Sequence, residues 1–315
     1  MLKVIVTDME YNKGANIFKG TDGFECISAP SVEAGLAAKI RDTGAKFAIV
    51  GVNKYRLELY DAIPAGGVIA RFGVGHDSLD KVLAKSKGIL CCNTPGVLDD
   101  SVAECAMGLM LASARNIVSC SADNKAGKWH PLIGFELSGK TLAIIGCGNI
   151  GRKVAKIAKC GFGMKVSGFD VVKPKDMSTI DDFTLDFASA VKNADFVSVH
   201  IPDCPATRNF INADRLKMMR KSAILINTAR GGVLDENDLY DAVKSGIVAG
   251  AALDVFKTEP YSPQSPDKDL RMLNGIIMTP HIGSSSIEAC ERMAKKALKN
   301  IGLASLGRIA EMNAI

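Results

Sequence analysis

The feature that most limits how this chain can fold is the hexapeptide Gly146-Cys147-Gly148-Asn149-Ile150-Gly151, which follows the apolar run 141–145 and opens a segment with helical spacing. G-x-G-x-x-G is a weak signal alone, but between a strand and a helix it has the context of a dinucleotide-binding turn. The glycines allow the tight turn and a close approach of a pyrophosphate to the backbone. The helix N-terminus presents free N–H groups and the positive end of its dipole. A further apolar run ends in Asp170. A carboxylate there accepts the adenosine ribose hydroxyls and repels a 2′-phosphate, which favours NAD over NADP, although Lys173 lies close by.

Strand-like and helix-like segments alternate on both sides of this turn, the pattern of parallel sheets with helical crossovers. Before it, strands are expected at 3–8, 47–52, 68–72 and 89–93. Helices are expected at 31–41, with Ser31 as N-cap, and at 79–87, closed by Gly88. From Thr141 onward six strands are expected, at 141–145, 165–170, 196–200, 223–227, 251–255 and 275–278. The helices between them fall at 149–159, 184–193, 212–219 and 236–245, so that the series matches two βαβαβ halves. Residues 101–118 form a long apolar helix opening on the capping pattern Ser101-x-x-Glu104. It is too apolar for a surface crossover and is expected between domains or in a subunit interface. A last amphipathic helix is expected from Ser285 to about Leu306.

Composition narrows the class. The 315 residues suffice for two domains, and thirty glycines beside 6% aromatics suggest many tight turns around an aliphatic core. The net charge of +5 is mild, and the basic stretches at 217–221 and 295–296 read as solvated helix faces, so no nucleic-acid partner is expected. No apolar run approaches the ~18 residues of a membrane span. Asp8 interrupts the first apolar run too early for a signal peptide. Nine cysteines, an odd number without a C-x-x-C, point to a reducing compartment, and a cytoplasmic protein is expected.

Hydride transfer between a nicotinamide and a hydroxyl-bearing carbon needs a proton carrier for the hydroxyl and a group that tunes that carrier, and an acidic substrate needs a cation for its carboxylate. Histidine is the natural carrier, and the chain has four: His76, His130, His200 and His281. His281 follows the apolar run 275–278, at a strand's carboxyl end, where open sheets bind ligands. His200 also ends a strand. Position alone leaves each histidine open to a structural role. Arg230, between a strand and Gly231-Gly232, suits a bidentate anion site or a plain surface turn. Glu259, before Pro260, is either an exposed loop acid or the carboxylate that would raise a histidine's pKa and fix its tautomer.

Taken in order, segments 71–77, 93–96, 101–104, 139–151, 199–202, 227–232, 251–260 and 279–283 resemble the D-isomer-specific 2-hydroxyacid dehydrogenases, the group that includes phosphoglycerate, D-lactate and glycerate dehydrogenases. The resemblance spans nearly the whole chain. It implies an α/β protein of two doubly wound parallel-sheet domains, a Rossmann NAD domain (98–285) inserted into a flavodoxin-like substrate domain (1–97 plus 286–315). It implies a catalytic trio in which His281 is the acid/base, Glu259 its partner, and Arg230 the group that binds the carboxylate and polarises the C2 oxygen. It implies cofactor contacts from Gly146, Gly148, Asn149, Ile150, Gly151, Asp170, His200, Ile201, Pro202, Thr228, Ala229, Arg230, Asp254 and His281. Substrate contacts are implied for Asn53, for the backbone of Gly73, Val74 and Gly75, and for Arg230 and His281. The implied cofactor is NAD, with no metal. The implied partners are a small 2-hydroxy or 2-oxo acid and a second copy of the chain, the helix from Ser101 helping to build a homodimer.

The sequence departs from the family pattern in two loops. Many relatives carry His-x-Pro-Leu-Thr where this chain has His200-Ile201-Pro202-Asp203-Cys204-Pro205, beside the adenine. Phosphoglycerate dehydrogenases usually place a phosphate-binding arginine in the loop that here reads Gly51-Val52-Asn53-Lys54-Tyr55-Arg56. D-3-phosphoglycerate oxidation, with Lys54 or Arg56 as substitute, therefore stands beside a general hydroxypyruvate, glyoxylate or 2-oxo-acid reductase. An NAD(H)-sensing protein like the corepressors that share the fold is a third reading. Formate dehydrogenase is disfavoured, because those relatives pair their histidine with glutamine rather than with a glutamate.

Overall fold

The computed structural model describes residues 1–315. They form two compact units, Met1–Leu98 with Ser284–Ile315, and Asp99–Gly283. No helix is long and apolar enough to cross a membrane.

The first unit is built on five parallel strands, β1 (Leu2–Thr7), β2 (Phe24–Ala29), β3 (Phe47–Val50), β4 (Val68–Arg71) and β5 (Leu90–Cys92), in the order β2-β1-β3-β4-β5. This is the flavodoxin-like doubly wound order. β2 was not expected from the sequence: it is an edge strand whose Glu25 and Ser28 break up the apolar run. The helix Glu33–Thr43 buries Leu36, Ala37 and Ile40 on the sheet face that carries Ile5, Ala48, Val50 and Ile69. It starts beyond Ser31, whose hydroxyl donates to Asp8 instead of capping the helix. The helix Ile287–Ser305 packs against β4 from elsewhere in the same unit, and Asn300 Nδ2 donates to Asn93 O at 2.9 Å.

The second unit has seven parallel strands: β6 (Thr141–Ile145), β7 (Lys165–Phe169), β8 (Asp182–Thr184), β9 (Phe196–Val199), β10 (Ile224–Asn227), β11 (Gly250–Leu253) and β12 (Ile276–Met278). Their order, β12-β11-β10-β9-β6-β7-β8, is the Rossmann order extended by one strand. Strand alternation splits the core into two layers. Ala143, Ile145, Val197, Val199, Leu225 and Leu253 face one layer, and Leu142, Ile144, Phe196, Ile226 and Ala252 the other. The six expected strands thus become seven. β8 was missed because it is three residues long, at an edge, and begins with Asp182; it also takes Thr184 from the helix expected there, which runs Phe187–Val191.

The long apolar helix also differs from expectation. It starts at Asp99, so Ser101 lies inside its first turn and is not an N-cap. It ends at Ala114; Asn116, at φ 52°, breaks the path before a second helix, Ile117–Lys125. Ala103, Ala106, Met107 and Met110 pack into the second unit's own core, against Leu142 and Ile144. That packing accounts for the apolar face these residues present. Exposed apolar surface lies further on: Ile117, Val118, Trp129 (88% exposed), Ile133 (98%) and Phe135.

Candidate active site

The sharp turn between β6 and the helix Asn149–Phe162 holds the glycine motif. Gly148 precedes the helix, no side chain caps the first N–H groups, and nothing lies within 4 Å of where a Cβ on Gly148 would project. Open space over uncapped helix N–H groups suits a pyrophosphate. Asn149 and Ile150 open the helix, and Gly151 is buried in it. Asp170, just past β7, accepts the Cys147 N–H at 2.8 Å and the Val171 N–H at 2.7 Å. It therefore braces the turn, and each carboxylate oxygen keeps a lone pair for a ribose hydroxyl.

His200 follows β9. Its N–H donates to Ile145 O at 2.7 Å and its Nε2 lies 2.8 Å from Ser198 Oγ. Burial pushes its pKa down to about 4, so the ring is neutral at physiological pH. Ile201 and Pro202 continue this strand-end loop. Thr228, after β10, is buried, and its Oγ1 has no partner within the protein, as befits a group reserved for a ligand.

The proton-transfer candidates come from the ends of β10, β11 and β12. After β10, Asn227 makes an Asx turn: its Oδ1 accepts the Ala229 N–H and its Nδ2 donates to Arg230 O, both at 3.0 Å. The Arg230 guanidinium donates to Ala229 O at 2.6 Å. After β11, Glu259 Oε1 accepts the Phe256 N–H at 3.0 Å, and Oε2 lies 2.7 Å from His281 Nδ1. Burial pushes the Glu259 carboxyl up, but the His281 hydrogen bond and charge, the Phe256 N–H and the Arg230 guanidinium outweigh it and hold it below the ordinary carboxylate range.

After β12, His281 adopts φ 53°, a left-handed conformation that costs an L-residue on the order of 1–3 kcal/mol. Asp254 holds it there. Its Oδ1 accepts from Thr279 Oγ1 at 2.6 Å and the Ile282 N–H at 2.8 Å, and its Oδ2 from the Gly283 N–H at 2.7 Å. The His281 N–H donates to Asp254 O at 2.9 Å. The family resemblance implies Asp254 as a cofactor contact; in the structure its carboxylate is occupied by the turn that carries His281. Asn227 and Gly231 are positioning residues that sequence reasoning passed over. An asparagine at a strand end before Thr-Ala-Arg-Gly-Gly is the signal that could have found the first.

Of the candidate substrate residues, all but Arg230 and His281 lie in the first unit. Gly73 N–H donates to Arg71 O, while Thr94 N–H and Asn93 Nδ2 take up the carbonyls of Gly73 and Val74 at 2.9 and 2.7 Å. The N–H groups of Val74 and Gly75 have no acceptor in the chain and suit a carboxylate. Asn53 Nδ2 donates to Ser31 O at 3.2 Å.

A Rossmann unit with an open glycine turn, and a histidine hydrogen-bonded to a carboxylate at its strand ends beside an arginine, defines a nicotinamide-dependent dehydrogenase. Residues 107–283 match the NAD binding domain of D-isomer specific 2-hydroxyacid dehydrogenases. The chain is 41% identical over 284 residues to a glyoxylate reductase of Thermococcus litoralis, covering 87% of this chain and 84% of that protein. It is 45% identical over 252 residues to a hydroxypyruvate reductase of Thermotoga maritima (77% and 81%). To a D-3-phosphoglycerate dehydrogenase of Methanocaldococcus jannaschii it is 38% identical over 315 residues, 99% of this chain and 59% of that one. The chain belongs to the D-isomer specific 2-hydroxyacid dehydrogenases, NAD-dependent oxidoreductases.

Proposed function

We propose that this protein is a reductase of small 2-oxo acids, of the glyoxylate and hydroxypyruvate kind, working with NAD(H) and yielding the D-2-hydroxy acid. The observation that carries the mechanism is the 2.7 Å pair between His281 Nδ1 and Glu259. With Nδ1 committed to the carboxylate, Nε2 gives its proton to the C2 oxygen in reduction and takes it back in oxidation. Arg230 binds the substrate carboxylate and draws electron density from C2. NAD(H), when bound, supplies the hydride donor or acceptor. The helix N–H groups at Gly148, Asn149 and Ile150 hold its pyrophosphate, and Asp170 its ribose. Gly146, Gly151, His200, Ile201, Pro202, Thr228, Ala229 and Asp254 shape the remainder of that site. Gly73, Val74, Gly75 and Asn53 serve the substrate from the first unit. The relatives named as reductases support this reading over phosphoglycerate oxidation, for which the loop Gly51–Arg56 offers only Lys54 or Arg56 as a substitute phosphate ligand.

The test is loss of NADH absorbance with a panel of glyoxylate, hydroxypyruvate, pyruvate, branched 2-oxo acids and 3-phosphohydroxypyruvate. Turnover of the unphosphorylated acids, with NADH preferred to NADPH, is expected. Tight NADH binding without turnover on the whole panel would transfer the weight to a sensor.

The second copy implied for the family is assigned to the exposed apolar strip of Ile117, Val118, Trp129, Ile133 and Phe135, since patches of this kind on soluble proteins mark interfaces. Sedimentation velocity is expected to give about twice the chain mass of 33.4 kDa, and a monomer for Ile133→Asp. A monomeric wild type at working concentration sinks the assignment.

A further inference from the structure

The strand ends of the first unit hold a buried carboxylate that neither the core nor the proton-transfer pair uses. In the order β2-β1-β3-β4-β5 the winding reverses between β1 and β3. The crevice beyond their carboxyl ends is the switch point, where doubly wound sheets take ligands. Thr7 ends β1 at this point and Gly51 follows β3. Glu10, in the helix Asp8–Lys13, lies over Gly51: a Cβ there would meet Glu10 Oε1 first and would be 2.6 Å from Cδ. Glu10 is only 7% exposed. Its Oε2 accepts the Thr7 hydroxyl, and no group of the chain donates to Oε1.

The neighbouring acids are committed elsewhere. Asp8 accepts the Ser31 hydroxyl and the Met9 N–H; Glu33 accepts the N–H groups of Arg56 and Leu59 at 2.8 and 3.1 Å. Asn53 Nδ2 and the Tyr55 hydroxyl both donate to Ser31 O at 3.2 Å, so the loops after β2 and β3 are tied together. Burial pushes the Tyr55 phenol up, and the charge of Glu10 pushes it further. On the neighbouring strand β4, Arg71 pairs in register with Val50 and brings a buried guanidinium to the Gly73 turn.

We propose that Glu10 Oε1 receives the C3 hydroxyl of the substrate, and that Glu10 thereby selects 2-oxo acids with a hydrogen-bond donor at C3 and no negative charge there. This rests on the reading above, in which the N–H groups of the Gly73–Gly75 turn, after the adjacent strand β4, take the carboxylate. A hydroxyl supplies the donor that Oε1 lacks, and a hydrogen bond to a charged acceptor is stronger than one between neutral groups. A phosphate or a second carboxylate would set like charge against a buried carboxylate, an arrangement interfaces use to reject wrong partners. Gly51 brings no side chain to neutralise it. Lys54 and Arg56, exposed on the same loop, and Arg71, buried at the end of β4, are the competing candidates for an anionic tail.

The experiment compares kcat/KM with NADH for hydroxypyruvate, 3-phosphohydroxypyruvate and glyoxylate in the wild type and in Glu10→Gln. The wild type is expected to favour hydroxypyruvate over the phosphorylated acid roughly a hundredfold, and Glu10→Gln to narrow that ratio about tenfold or more. A ratio that Glu10→Gln leaves unchanged, one that moves with Lys54→Ala or Arg56→Ala instead, or a wild type preferring the phosphorylated acid overturns the assignment. In each case continued reduction of glyoxylate leaves the wider reading standing. Failure to reduce any of the three overturns both. Should Glu10→Gln not fold, inhibition of the wild type decides: D-glycerate is expected to compete with hydroxypyruvate far better than D-3-phosphoglycerate, and equal competition rejects the role of Glu10.

Discussion

His281→Ala is expected to lower kcat/KM for every accepted 2-oxo acid by about 10²–10⁴-fold, the usual worth of a positioned proton carrier. NADH affinity, read by fluorescence titration, should change far less, because the glycine turn and Asp170 are untouched. Retention of full turnover would remove His281 from the mechanism. The companion variant is Glu259→Gln. Glu259 is held below the ordinary carboxylate range and so is an anion throughout the working pH range. Protonation of Glu259 would remove the acceptor that holds the His281 ring, so the wild type is expected to lose activity on the acid side only as pH falls below the ordinary carboxylate range. Glu259→Gln has no carboxylate to protonate, and that acid limb is expected to be absent from its pH–kcat/KM profile. An acid limb that persists unchanged in Glu259→Gln would separate the pair functionally despite their 2.7 Å contact.

The parts of the molecule that could be read from the sequence are those whose physics is local. β6 and the glycine turn were legible because a β-branched run, glycines at fixed offsets and an amphipathic helix each signal independently. Edge strands were not: β2 and β8 owe their existence to a neighbouring strand, β1 or β7, and their own side chains are too mixed to announce it. The helix Asp99–Ala114 shows a different limit. Its apolar character was plain, but the surface it covers was not, because periodicity says that a face is buried and not against what. Likewise Arg230, Glu259 and His281 could be named from local motifs, whereas the tether through Asp254 joins residues 25 to 29 positions apart. Long-range hydrogen bonds of this kind leave no spacing signal in one chain.

The second large effect is expected from adding one methyl group beside Arg230. Gly231 is buried, and a Cβ on it would overlap the backbone of Phe256 and Lys257 rather than a side chain that could rotate away. Either the turn after Arg230 or the loop 256–259 must give way. Both carry function: Phe256 N–H holds Glu259 at 3.0 Å, and Lys257 N–H is anchored on Glu236 at 2.7 Å. Gly231→Ala is therefore expected to cost about 3 kcal/mol, the upper end of ordinary overpacking. At this domain size that lowers Tm by roughly 6–12 °C. A misplacement of about 1 Å between Arg230 and the His281–Glu259 pair should take a further ~10²-fold from kcat. Gly232→Ala is the matched comparison, because its Cβ would meet the carboxylate end of the Asp203 side chain, which pairs with exposed Arg208, and not backbone. It should melt within a few degrees of the wild type and keep most of its activity. If the two variants behave alike, the close approach of the two backbones is not what aligns Arg230 with Glu259.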